Sequence, residues 1–256
     1  MRIALGIEYD GTDFCGWQRL SHSPSVQAVV EKALSFVADE TIDVTCAGRT
    51  DSGVHAQCQV AHFDTNAQRT ERGWILGANS NLPSTVSVRW ATIVPDDFHA
   101  RFSAVARRYR YVIVNRAVRP ALDGRYVTWE RGELDVDPMR DAAQSLIGEH
   151  DFNAFRSIAC QANTSMRNVH DINLERVRDR IEIQIQANAF LHHMVRNIVG
   201  SLLPIGRGER PVEWMSELLE GKDRARAGAT APPTGLTFLF PLYPDKFGLP
   251  DEVTLR

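Results

Sequence analysis

Apolar positions recur along the chain with two periods. Arg2–Tyr9 is an apolar run of strand length that stops at the turn residues Asp10-Gly11-Thr12-Asp13. Val26, Val29, Val30, Ala33, Leu34 and Val37 then return at helical spacing, predicting a one-faced helix with Ser25 as its cap. Strands are predicted at Gln59–Phe63 and Val86–Val94, with a helix over 71–80 between them.

The second half repeats this rhythm. Arg108–Asn115 alternates and sets Tyr109, Tyr111 and Ile113 on one face. Asp137-Pro138 opens a helix that presents Met139, Ala142, Ala143, Leu146 and Ile147, and Gly148 closes it. Val169–Leu174 and Arg180–Asn188 predict a hairpin turning near Arg178-Asp179. In its second strand Ile181, Ile183 and Ile185 alternate with Glu182, Gln184 and Gln186, so one face is core and the other is wet or covers a ligand. A helix over Phe190–Leu203 turns Leu191, Met194, Val195, Ile198 and Leu202 inward, with His192, Arg196 and Gly200 on its other side. Pro211–Leu219 predicts a shorter helix and Gly235–Leu242 a last strand. The expected fold is α+β, two pseudo-duplicated subdomains at 1–105 and 106–256 with a cleft between them.

Composition narrows the setting. With 256 residues, 43% of them hydrophobic, the chain can bury a real core. The opening apolar run meets Glu8 too early for a signal peptide, and no run approaches the ~20 residues that cross a bilayer. Cys15, Cys46, Cys58 and Cys160 show no Cys-x-x-Cys pairing, which predicts free thiols in a reducing cytoplasm rather than a zinc site or a disulfide framework. The net charge of −3 argues against an obvious nucleic-acid binder, since such domains usually have a basic pI. Locally the picture differs: Arg101 to Arg125 holds seven arginines and one acid, Asp123, a field that attracts phosphate.

The candidate chemistry centres on CAGRTDSGVHA, Cys46–Ala56, a loop with almost nothing to bury. An isolated aspartate in a loop is most often an Asx-turn residue. Around Asp51, however, Gly48 and Gly53 allow backbone shapes and close approaches that side chains would block. Arg49 adds a planar charge suited to phosphate or a stacked base. A carboxylate can serve as base, metal ligand or nucleophile. Metal work wants further carboxylates nearby and this loop has one, so a nucleophile is favoured. Asp10 and Asp13 suggest a divalent-metal pair less well than a turn anchored by Trp17. His192 and His193, as neighbours on a helix, should diverge by a quarter turn or more, and no third ligand is in view. Arg196 reads as a surface residue or as a half-buried partner that keeps a carboxylate ionised. Tyr109 reads as core packing, a stacking platform or a proton relay.

Together these stretches resemble the tRNA pseudouridine synthase A family. The resemblance rests on YDGTDFCGWQ near the N-terminus, AGRTDSGVHA, DDFHARFSAVARRYRY at Asp96–Tyr111, NAFLHHMVRNIVGSL at Asn188–Leu202 and PPTGLTFLFPLYP at Pro232–Pro244. It implies a largely antiparallel central sheet flanked by helices, with the active site in the cleft. It implies an isomerase that turns uridine into pseudouridine at positions 38, 39 and 40 of tRNA, in the anticodon arm. It further implies a homodimer without metal or organic cofactor. Asp51 then matches the catalytic aspartate, Arg196 the arginine partnering it, Tyr109 the substrate-contacting tyrosine and Arg49 the arginine that helps extract the base. Arg107, Arg108, Arg110 and His55 join Arg49 and Tyr109 as expected substrate-binding residues. Two rivals explain less. An idle RNA-binding module leaves Asp51 without a purpose, because a carboxylate repels phosphate. A metal-dependent hydrolase built on Asp10, Asp13, Asp51 and His55 needs divalent ions.

Overall fold

The structure, a computed structural model, describes residues 1–255. The chain divides into two compact α+β units, one of residues 1–106 and 237–256, the other of residues 107–236.

In the first unit, β1 (Arg2–Tyr9) leads through a turn to α1 (Val26–Ala38). A short β2 (Thr45–Cys46) follows, then β3 (His55–Asp64), α2 (Glu71–Asn81) and β4 (Val86–Val94). β1 lies between β3 and β4, antiparallel to both, and β2 pairs antiparallel with β3. A strand paired on both sides and covered on both faces has no wet face to show, which is why Ile3-Ala4-Leu5 runs apolar without a break. Phe63 sits opposite Ile3 and meets Trp74 of α2 edge-on at 5.1 Å, so this face lies under the helices. Ala4, Cys58 and Val60 point the other way, into a cluster with Phe98, Tyr243, Phe247 and Val253.

Thr70 caps α2 by accepting from Gly73 N–H at 3.0 Å. The expected cap of α1 is present in position only. Ser25 has the extended backbone of a cap, but its buried hydroxyl has no hydrogen-bond partner among the described residues.

The second unit takes up β5 (Ala106–Asn115), β6 (Thr128–Glu130), α3 (Val136–Gln144), β7 (Gly148–Asp151), β8 (Met166–Val177) and β9 (Arg180–Ala187). Then come α4 (Met194–Gly206) and α5 (Trp214–Gly221). Its strands lie in the order β5-β9-β8-β7, antiparallel throughout, with β6 parallel on β5. The predicted hairpin forms with its turn at Arg178-Asp179, where Arg178 is left-handed. Tyr109, Tyr111 and Ile113 stand opposite Ile185, Ile183 and Ile181, while Arg108 and Arg110 stand opposite Gln186 and Gln184. One face is therefore apolar and the other polar, as the alternation requires.

Two helix boundaries differ from the sequence pattern. α3 ends at Gln144: Leu146 is buried beyond it, Ile147 is 40% exposed, and Gly148 opens β7 rather than closing a helix. α4 begins four residues later than Phe190, because His193 holds a left-handed φ of 63° that no α-helical residue has. Finally the chain returns to the first unit with β10 (Leu236–Pro244), parallel to β3, and β11 (Thr254–Leu255), parallel to β10. The sequence division at 105/106 keeps these last strands with the second half.

Candidate functional site

The loop between β2 and β3 is held by a segment forty residues earlier. Tyr9 Oη and Thr50 Oγ1 share a buried hydrogen bond of 2.7 Å, of a kind that contributes about 1 kcal/mol and costs more when one partner is left alone. Trp17 N–H donates to Thr50 O at 3.0 Å, and Gly53 N–H donates to Phe14 O at 3.2 Å. Backbone meets backbone here. A Cβ on Gly11 would lie 2.0 Å from Val54 O, and one on Gly16 would lie 2.6 Å from Thr50 O. Gly53 adopts a φ of +76°, the conformation that glycine accepts without penalty. Gly48 differs from the sequence expectation: its φ is not left-handed, and nothing lies within 4 Å of where its Cβ would be. The close approach belongs to the turn at 9–17, not to Gly48.

Asp51 sits half-buried at the tip of this doubly supported loop, with its own carbonyl accepting from Val54 N–H at 3.1 Å. Arg49 is exposed beside it. Burial pushes the Cys46 thiol up to about 12, and the Arg49 guanidinium is the strongest influence opposing that rise. His55 is 3% exposed and lies at the root of the loop. Gly11 N–H donates to its Nδ1 at 3.1 Å, and Asp10 Oδ1 lies 3.1 Å from the same nitrogen. Asp10 closes its own turn by accepting from Thr12 N–H and Thr12 Oγ1 at 2.9 and 2.5 Å. His55 thus holds the turn against β3. The bracing extends to α1, where buried Glu31 accepts from Val44 N–H at 3.1 Å and pairs with Arg19 at 2.8 Å. A lone Glu beside the apolar stripe of α1 gave no sign of that task in sequence.

The second unit holds the other expected residues. Arg107 Nη1 donates to Asn188 O at 2.9 Å, and the Tyr109 ring meets Phe190 edge-on at 5.0 Å, so both address the segment before α4. Tyr109 is half-buried, whereas Tyr111 is fully enclosed. The Tyr111 hydroxyl donates to Pro232 O at 2.8 Å and accepts from Thr128 Oγ1 at 2.6 Å, and burial raises its pKa. Of the two tyrosines, Tyr111 is structural.

Arg196 lies in the first turn of α4. Its Nε donates to Ala231 O at 2.8 Å and its carbonyl accepts from Ala231 N–H at 3.1 Å. One turn on, a Cβ at Gly200 would lie 1.7 Å from Ala229 O, so the face carrying Arg196 is covered by residues 229–231. His192 and His193 precede the helix instead of riding on it. Their rings do not diverge as helical neighbours would but face each other with centroids 4.0 Å apart.

The arginine-rich stretch is less uniformly positive in space than in sequence. Arg108 pairs with Asp171 at 3.4 Å and donates to Gln184 at 3.0 Å, and Arg116 pairs with Asp179 at 3.0 Å. These acids come from β8 and the β8–β9 turn. Arg110 keeps a buried Nε with no hydrogen-bond partner among the described residues.

Comparison with known proteins gives the family. The family model described as tRNA pseudouridine synthase matches residues 6–103 and 142–244. The tRNA pseudouridine synthase A of Stenotrophomonas maltophilia strain K279a is 60% identical over 256 residues, covering 100% of both chains. That of Xanthomonas axonopodis pv. citri strain 306 is 57% identical, over 99% of this chain and 100% of the relative. Among solved structures, a crystal structure of a Cbf5-Nop10-Gar1 complex is similar with a TM-score of 0.38 and 12% identity, over 78% of this chain and 45% of that one.

Proposed function

This chain belongs to the tRNA pseudouridine synthase family, and from that premise we propose that it isomerises uridine at positions 38, 39 and 40 in the anticodon arm of tRNA, with Asp51 as nucleophile. Membership makes it an isomerase acting on uridine in tRNA. The position, the nucleophile and base flipping are our own reading. The observation that carries it is the braced loop: two distant segments converge to hold a single half-buried carboxylate, Asp51.

The reaction breaks the C1′–N1 bond, turns the uracil and joins C5 to C1′. C5 loses a proton and N1 gains one, so no oxidant or co-reactant is consumed. Attack of the Asp51 carboxylate on C1′ gives a glycosyl ester, the carboxylate chemistry of retaining glycosidases. Here water must be kept out, or the base is lost. A uridine within a stem is out of reach until it is flipped, at a cost of ~a few kcal/mol. Arg49, exposed next to Asp51, offsets part of that cost by filling the vacated space. Tyr109 presents a half-buried ring to the substrate, and Arg196 takes the part that the family resemblance gives it. The same reading includes a cytoplasmic homodimer needing neither metal nor organic cofactor.

Purified protein incubated with unmodified tRNA, followed by chemical mapping of pseudouridine, tests this. We expect product at positions 38, 39 and 40, undiminished by excess EDTA. Product confined to another arm overturns the position, and loss of activity in EDTA revives the metal-dependent alternative.

The arginines give a graded expectation. Arg107→Ala should weaken tRNA binding and flatten its salt dependence by about one unit, as the loss of one phosphate contact does. Arg108→Ala should change the slope less, because Asp171 already neutralises it. Titrations across a range of salt for Arg107→Ala, Arg108→Ala and Arg110→Ala check this. An unchanged slope in all three makes the run a solvated surface.

A further inference from the structure

Near the start of the Asp51 loop, the first unit leaves a large aromatic ring outside. Phe102 is 75% exposed, yet it is firmly mounted. The His99 ring lies against it with centroids 4.4 Å apart and an interplanar angle of 34°, and His99 packs in turn on His62 at 4.9 Å. His99 Nδ1 accepts from the backbone N–H groups of both Arg101 and Phe102, at 3.1 and 3.2 Å. The side chain that supports the Phe102 ring therefore also fixes the backbone that carries it. Ser103 completes the turn: its hydroxyl accepts from His99 N–H at 3.0 Å, and its own N–H donates to His99 O at 2.8 Å. At the foot of the stack, His62 Nδ1 accepts from Ala100 N–H at 3.1 Å. Burial brings His62 down to about 4 and lowers His99 as well, so both rings are neutral at neutral pH.

The stack stands next to the candidate site. His62 of β3 is the cross-strand partner of Thr45, the residue before Cys46 where the loop begins. The charges of Arg49 and Arg101 both reach the Cys46 thiol. The Arg101 guanidinium lies over the Phe102 ring, 5.5 Å from its centre.

A single exposed phenylalanine needs no explanation by itself. An exposed ring backed by a tilted, neutral imidazole, with a guanidinium lying over it and placed near the loop that carries Asp51, has the chemistry of a nucleobase platform. Stacking on an aromatic face accepts any base, and the adjacent arginine suits the phosphate that follows. One ring is also too small an apolar patch to dock a folded protein.

We propose that Phe102, backed by His99 and flanked by Arg101, stacks on a base of the tRNA neighbouring the target uridine and so holds the strand while that uridine is flipped out. The proposal rests on the reading of the chain as a tRNA-modifying enzyme. Phe102→Ala, Phe102→Leu and Phe102→Trp test it through tRNA affinity, thermal stability and the fluorescence of the introduced indole against the parent's background. Stacking predicts that Phe102→Ala loses about 5- to 150-fold in affinity for tRNA. Phe102→Leu should recover little of this, and Phe102→Trp should bind as the parent does, its added fluorescence quenched by tRNA. Unchanged affinity in Phe102→Ala, full affinity in Phe102→Leu, or an unquenched indole overturns the platform. A fall in thermal stability matching the fall in affinity does so too, because the ring is then structural. If the parent enzyme itself forms no pseudouridine in tRNA, the family-based reading has failed. If the parent does and Phe102→Ala binds equally well, only the platform has failed.

Discussion

Asp51→Asn is expected to fold and bind tRNA as the parent does and to form no pseudouridine, its single-turnover rate falling by at least roughly four orders of magnitude, the scale on which loss of a nucleophile is felt elsewhere. The amide keeps the shape and the backbone bond from Val54 N–H to residue 51, but it is a poor nucleophile and cannot form the glycosyl ester. An intact-mass check excludes deamidation back to the acid. Turnover near the parent rate would move the chemistry off Asp51. Asp10 is a weak replacement, since its Oδ1 already accepts from Thr12 and lies against His55. The same assay with uridine deuterated at C2′ separates two uses of the carboxylate. Attack on C1′ leaves the C2′–H bond intact and gives no primary isotope effect, whereas removal of the C2′ proton gives a large one.

Where one element repeats a strict period, the chain announces it. α1, β4 and β9 match their predicted spans closely, because burial of one face imposes a period of 2 or 3.6 on the residues themselves. β1 matches as an unbroken apolar run, while β8 runs three residues past its predicted span at each end. Boundaries set by a single backbone angle are hidden. The apolar spacing around Leu191 runs on smoothly although His193 turns left-handed, and α4 continues through Pro204 to Gly206 where a proline usually signals an end. Strands of two to four residues, β2, β6, β7 and β11, are too short to show a period and exist because a neighbour is there to pair with. The site follows the same rule. The loop that carries the candidate Asp51 was legible because it is longer and less apolar than a connection needs. The acids that neutralise Arg108 and Arg116 were not, since they lie about sixty residues away and meet them only through strand register and the β8–β9 turn. Nor was the buried position of His55, which depends on a turn near the N-terminus.

That turn supplies the second large effect, and it separates two glycines that look alike in sequence. Gly11→Ala places a methyl group 2.0 Å from Val54 O and 2.6 Å from Val54 C. Both are backbone atoms, so no side-chain rotation relieves the clash and the turn must draw back from the loop. Withdrawal strains the bonds from Trp17 N–H to Thr50 O and from Gly53 N–H to Phe14 O, which together hold the backbone on either side of Asp51. Overpacking of this kind costs about 1–3 kcal/mol. A displacement of about 1 Å in a reacting group lowers rate by ~100-fold. Gly11→Ala should therefore lose both stability and single-turnover rate while tRNA affinity changes little. Gly48→Ala meets nothing within 4 Å and needs no left-handed backbone, so its stability should stay within about 0.5 kcal/mol of the parent. Denaturant unfolding of both variants, paired with single-turnover assays at saturating enzyme, makes the comparison. If Gly48→Ala proves the less stable of the two, the turn at 9–17 is not what positions the loop, and the placement of Asp51 needs another cause.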